Sequence, residues 1–210
     1  MNTYGETQTL HYLALGDSYT IGESVFEKDR FPEQTVGFLR KSGIQIDHPR
    51  IIAKTGWTTD ELAAAIESAN IQDRFDIVSL LIGVNNQYRG RSVEDYASQF
   101  EDLCKIALSF AGNVPSKVYV LSIPDWGLTP FAEGRDRKLI SSQIDAFNDV
   151  NKKIAEKYQF NYIDITTSYR RNINDPTSTA SDGLHPSAKA YQIWAELLAE
   201  KISKNLIGKK

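Results

Sequence analysis

Disulfide and zinc chemistry are absent from this chain at the outset, because its 210 residues contain a single cysteine, Cys104. It has no partner for an internal disulfide and no neighbouring ligands for a zinc site, and it sits in the helical pattern Phe100 to Leu108, where it reads as packing. No stretch approaches the roughly 18 consecutive apolar residues that a membrane span needs. Met1 to Gln8 lack both the basic and the apolar part of an export signal, so the chain reads as cytoplasmic, although a signal removed earlier would leave the same residues. Charge of one sign is not concentrated either. The 24 basic and 27 acidic residues give a net charge of -3, with no long block of like charge, which argues against nucleic acid or an anionic membrane as partner. Repeats, low-complexity tracts and linkers are missing too. What remains, 41% hydrophobic and 24% charged, suits one soluble domain over residues 1–210.

Five apolar runs alternate with helical patterns. Leu10 to Leu15 reads as a first, central strand, Gln45 to Ala53 as a second and Phe75 to Ile82 as a third, nearly continuous as in a strand buried on both faces. Lys117 to Ile123 and Phe160 to Ile165 supply the fourth and fifth. Between them Pro32 to Lys41, a segment opened by Thr58 or Thr59, a long helix capped by Ser92, and Arg135 to Lys157 read as helices. Asp145, Asn148 and Asn151 in the last of these read as a solvated face. Thr166 to Ser181 reads as a long polar loop, and Pro186 as the opening of a final helix that buries Ala190, Ile193, Trp194, Leu197 and Leu198. This alternation predicts a three-layer α/β/α fold around a five-stranded parallel sheet. Right-handed crossovers and a central first strand give the flavodoxin-like order 2-1-3-4-5.

In an open parallel sheet, ligands bind at the carboxyl edge of the strands. The first strand ends there in Gly16-Asp17-Ser18, which places Ser18 at a helix start where free N–H groups favour developing negative charge. Gly-Asp-Ser is also an ordinary turn and cap, so the argument rests on what shares the edge. Gly56 follows the second strand, Asn85 the third, and the pair Asp182 and His185 comes after the fifth. Asp182 and His185 are three residues apart, so in one turn their side chains share a side, and Gly183 eases that turn. A carboxylate there can hold one imidazole nitrogen and leave the other facing Ser18, which fixes the tautomer a general base needs. The other histidines read differently, His11 as a strand-face or edge residue and His48 as exposed. Trp57, Tyr88, Trp126 and Phe131 are placed to line a pocket, though aromatics also serve as core. Arg89 and Arg91 read as a solvated loop, with contact to an anionic substrate as the alternative.

The Gly16-Asp17-Ser18 box, the lone Gly56, the Gly83-x-Asn85 box and the Asp182-x-x-His185-Pro186 box, in this order, resemble the SGNH (GDSL) hydrolase family over nearly the whole chain. The resemblance implies a serine esterase with Ser18 as nucleophile, His185 as base and Asp182 as its orienting acid. It also implies an oxyanion hole made by the Ser18 and Gly56 N–H groups and the Asn85 amide, with neither cofactor nor metal. The implied partner is a small-molecule ester: an acetylated sugar, a lysophospholipid, a short acyl ester or a thioester. One position departs from the family, which commonly has aspartate where this chain has Asn86. Two other readings stand beside the esterase: a catalytically silent carbohydrate- or partner-binding module on the same fold, and a flavodoxin-like nucleotide binder. The second would want a phosphate-cradling loop after the first strand, where this chain puts a carboxylate.

Overall fold

The computed structural model describes residues 9–207. In chain order the elements are β1 (Tyr12–Gly16), α1 (Ser18–Ile21), α2 (Phe31–Lys41), β2 (Arg50–Ala53), α3 (Thr59–Ala69), β3 (Ile77–Leu81), α4 (Val84–Tyr88) and α5 (Val93–Phe110). They continue with β4 (Val118–Leu121), α6 (Arg137–Lys157), β5 (Asn161–Ile163), α7 (Ile165–Asn172) and α8 (Ala188–Ile207). All strand pairs are parallel and the order is β2-β1-β3-β4-β5, as the sequence predicts. Helices α2 and α8 pack together on one face, and α3, α5 and α6 lie side by side on the other.

The register matters for the site. Gly16 pairs with Ala53 on one side and Leu81 on the other, so three strands end level and their loops start side by side. Gly16 is required by this closeness, since a Cβ there would run into the Leu81 carbonyl and the Thr20 hydroxyl. Strand β2 is shorter than the predicted Gln45 to Ala53. Ile46 bridges Leu10, and the ladder resumes only at Arg50, after Pro49, which has no N–H to give.

Helix α8 locks the two ends of the fold together. Trp194 is fully buried, with ring centroids 6.1 Å from Tyr19, 6.3 Å from Phe31 and 5.9 Å from Tyr169. Large buried aromatics of this kind carry much of a core's stability, and here they join α1, α2 and α7 to α8. The free thiol of Cys104 is buried in α5 and belongs to the core.

Three local expectations are corrected. Asn148 and Asn151 do not form a solvated face with Asp145; both are buried in α6. The Asn148 amide accepts from Ile123 N at 2.7 Å and donates to Ile123 O at 3.0 Å, so it satisfies the backbone where β4 ends, and Asn151 accepts from the Tyr96 hydroxyl at 2.5 Å. The predicted loop from Thr166 contains α7, capped by Asp164, whose carboxylate accepts from Thr167 N at 2.9 Å, and anchored by buried Ile165 and Tyr169 one turn apart. Pro186 does not open α8 but bridges Thr179. Ser187 caps the helix, its carbonyl accepting from Tyr191 N at 2.9 Å.

Candidate active site

Ser18 is the first residue of α1, so its N–H is one of those no intrahelical carbonyl can take. Asp17 caps this helix by accepting from Tyr19 N at 3.0 Å. The Ser18 hydroxyl is 2.9 Å from His185 Nε2, and His185 Nδ1 is 2.6 Å from Asp182 Oδ2. Asp182 Oδ1 accepts from the Leu184 and His185 N–H groups, each at 2.9 Å, while its Oδ2 also accepts from the Ser24 hydroxyl at 2.7 Å. Burial opposes ionisation of Asp182, but the bonds from Ser24, His185 and the two backbone N–H groups outweigh it and hold the carboxyl well below its ordinary range. An ionised carboxylate can only accept, so His185 Nδ1 carries a proton, and when the ring is neutral it is Nε2 that faces Ser18 as an acceptor.

Gly56 and Asn85 arrive from the neighbouring strand ends and line the same cavity as Ser18 and His185. Gly56 has φ +84°, a left-handed conformation that favours glycine even though there is space for a Cβ. Helix α4 fixes this loop through two side chains one turn apart. Asn85 Nδ2 donates to Trp57 O at 2.9 Å and Arg89 Nη2 to Gly56 O at 2.6 Å, so consecutive carbonyls are held from one helix. An amide nitrogen has two hydrogens, and the second on Asn85 remains for the cavity. Asn86, in α4, is buried against the start of α3, accepting from Thr59 N at 3.1 Å and donating to Thr59 Oγ1 at 2.7 Å; that hydroxyl in turn donates to Gln99. The departure from aspartate therefore keeps α4 tied to α3 with no charge to bury.

The cavity encloses about 200 Å³, with Tyr19, Val84, Tyr88, Trp126, Phe131 and Leu184 as its apolar wall. Trp126 is held there by Gln87, whose Oε1 accepts from the indole Nε1 at 2.7 Å. Of the four predicted aromatics, Tyr88, Trp126 and Phe131 line the cavity and Trp57 does not; its ring packs against the core and only its carbonyl serves the site. Arg89 holds the Gly56 loop rather than standing free in solvent, and Arg91 pairs with Asp60 at 2.5 Å.

Sequence reasoning missed Ser24, whose role depends on a contact 158 residues away. It also missed Arg135, whose guanidinium lies 5.1–5.4 Å from the Tyr88, Trp126 and Phe131 centroids. No local pattern marks either residue. Beneath Ser18, burial pushes the Asp17 carboxyl up to about 7, only partly offset by the Tyr19 N–H, and its Oδ2 has no partner among the described residues. Among the described residues no three His, Cys, Asp or Glu side chains gather as metal ligands, and no helix is long and apolar enough to cross a membrane.

A family model described as GDSL-like lipase/acylhydrolase matches residues 14–193. Solved structures superpose along nearly the whole chain. The acetylxylan esterase Axe2 from Geobacillus stearothermophilus is 20% identical with a TM-score of 0.73, covering 94% of this chain and 96% of its own. A lipase/acylhydrolase from Enterococcus faecalis is 17% identical with a TM-score of 0.74, over 93% and 96%. The esterase EstA from Pseudoalteromonas sp., inhibited by monoethylphosphonate in its structure, is 16% identical with a TM-score of 0.70, over 93% and 98%. At these identities the likeness speaks for the fold. A search of curated proteins finds no match. The family match runs from β1 into α8 and takes in every loop that meets at the cavity, so the chain belongs to the GDSL-like lipase/acylhydrolase family of carboxylic ester hydrolases.

Proposed function

We propose that the cavity hydrolyses a small carboxylic ester through an acyl-enzyme on Ser18. The observation that carries this reading is the continuous line from Ser18 Oγ to His185 Nε2 at 2.9 Å and from His185 Nδ1 to Asp182 at 2.6 Å. His185 takes the Ser18 proton as Oγ attacks the ester carbonyl, and the resulting imidazolium is stabilised by Asp182. The oxyanion is met by the Ser18 and Gly56 N–H groups and the free hydrogen of Asn85 Nδ2. His185 then gives its proton to the departing alcohol, and water repeats the sequence on the acyl group. A cavity of about 200 Å³ is smaller than the roughly 300–1,000 Å³ of sites for drug-sized ligands. That size and its apolar wall favour a short acyl group over a long lipid chain, with acetylated sugars and short acyl esters as the leading substrates.

The test is turnover of p-nitrophenyl acetate by wild type, Ser18→Ala, His185→Ala and the double variant. Each single variant should lose at least about 10⁴-fold in kcat, and the double variant little more, because nucleophile and base act as one unit. Additive losses, or a Ser18→Ala protein that turns over like wild type, would remove Ser18 from this role. An acyl-length and acetyl-sugar panel on the wild type then ranks the substrates.

A further inference from the structure

The loop after α1 contains a residue whose backbone and side chain ask for different things. Val25 N donates to Gly22 O at 3.2 Å, closing a turn around Glu23 and Ser24, and Ser24 lies in it at φ +66°. That is a left-handed conformation in which glycine is favoured and a serine is strained. The chain keeps a serine there, exposed, and its hydroxyl reaches across the fold to Asp182 Oδ2 at 2.7 Å. The preceding side chain, Glu23, accepts from the Thr55 hydroxyl next to Gly56. Two consecutive residues of the Ser18 loop thus tie it to the acid on one side and to the oxyanion loop on the other.

We infer that Ser24 is a positioning residue for the Asp182–His185 pair, setting both the orientation of the carboxylate and the strength with which it holds the imidazolium. This rests on the proposed roles of Ser18, His185 and Asp182. Ser24 donates to the same oxygen that accepts from His185 Nδ1. It therefore shares out the negative charge that would otherwise serve the imidazolium alone, and it fixes the side-chain torsion of Asp182 from the side opposite the backbone donors Leu184 and His185. Without that hydroxyl the carboxylate becomes a better partner for a charged ring, so His185 gains a proton at higher pH and the free base is lost sooner as pH falls. Other titratable groups also face the pair. Tyr19 from α1 lies edge-on to His185 at 5.5 Å, and Tyr169 from α7 and Tyr191 from α8 feel the charge of Asp182. Burial raises all three phenols, which stay neutral through the working range. The charge of Asp125 acts on Tyr19 and Tyr169, and burial pushes Asp17, next to Ser18, up to about 7, but Ser24 bonds to neither.

The experiment compares kcat, KM and the pH profile of kcat/KM on p-nitrophenyl acetate, together with Tm, for wild type, Ser24→Gly and Ser24→Thr. Glycine relieves the turn and removes the hydroxyl; threonine keeps the hydroxyl and worsens the strain. Ser24→Gly should unfold no earlier than wild type, yet lose about tenfold in kcat with KM within about twofold, and its acid limb should move up by about half a pH unit. Ser24→Thr should lower Tm and keep the wild-type limb. A Ser24→Gly protein with wild-type kcat and limb, or with lower kcat and an unmoved limb, overturns the inference while leaving the Ser18 reading intact. Wild-type turnover by Ser18→Ala, run in parallel, overturns both.

Discussion

Asp17→Asn isolates a single buried proton. Asp17 is 1% exposed, one carboxylate oxygen accepts from Tyr19 N, and the other has no partner among the described residues. Burial raises this carboxyl from 3.8 to about 7. Between those values the native state keeps a proton that the unfolded chain has released, so stability falls as pH rises through this window and levels off above it. A rise of that size corresponds to at most about 4 kcal/mol, reduced by whatever water and local relaxation reach the site. Asparagine keeps the acceptor for Tyr19 N but cannot ionise. Its amide hydrogens would face the place where Oδ2 finds no partner, at a cost of about 1–3 kcal/mol. Urea unfolding at pH 5 and pH 8.5, with m-values checked for constancy, measures both effects. At pH 5 the variant should be the less stable protein. By pH 8.5 the difference should have swung towards the variant by about 1–3 kcal/mol, since only the span between pH 5 and about 7 is crossed. Every other ionisable group is common to the two proteins, and depressed carboxylates such as Asp60, at about 2, stay ionised throughout. Parallel stability curves from pH 5 to 8.5 would refute the reasoning.

Asn85→Ala removes the side-chain amide proposed as an oxyanion donor and frees the Trp57 carbonyl, so kcat should fall by about 10²–10³ with a smaller change in KM; normal kcat with raised KM would make Asn85 a substrate-binding group instead. Asn148→Ala leaves the Ile123 N–H buried without its partner and takes one of two donors from the Ile123 carbonyl, which keeps the Thr166 hydroxyl, and should cost about 1–3 kcal/mol by urea unfolding. A loss under about 0.5 kcal/mol, the range of an ordinary surface substitution, would mean that solvent takes over these bonds.

The sheet was legible because a strand buried on both faces is nearly continuous in apolar residues, as Ile77 to Leu81 is apart from Ser79, whose hydroxyl pairs with that of Tyr12. The loops that meet at the cavity were legible for the opposite reason: each breaks an apolar run with a glycine or a short polar residue, and parallel topology sends all of them to one edge. What escaped the sequence depends on distant partners. Asn148 looks like any polar helix residue until the carbonyl of Ile123 is known to lie beside it. Helix α7 was hidden because Ile165 and Tyr169 are the apolar anchors of an otherwise polar stretch. Arg89 seemed a loop cation, and only the fold brings Gly56 O to it. Trp57 was misplaced because a strand-end aromatic can turn either to the cavity or to the core, and here the ring packs against the core.

The joining of α8 to α1 and α2 has a consequence for the order of events during folding. Ser18 and His185 stand 167 residues apart, and the aromatic cluster around Trp194 that brings them together draws on both ends of the sheet's helical cover. Contacts of such separation repay their loop-closure entropy late. A chain emerging from the ribosome can therefore build β1 through β4 and expose Ser18 while His185 is not yet beside it. Under the proposed mechanism Ser18 stays inert until α8 docks and carries His185 to it, so the appearance of esterase activity would report the last long-range step of folding rather than the formation of the sheet.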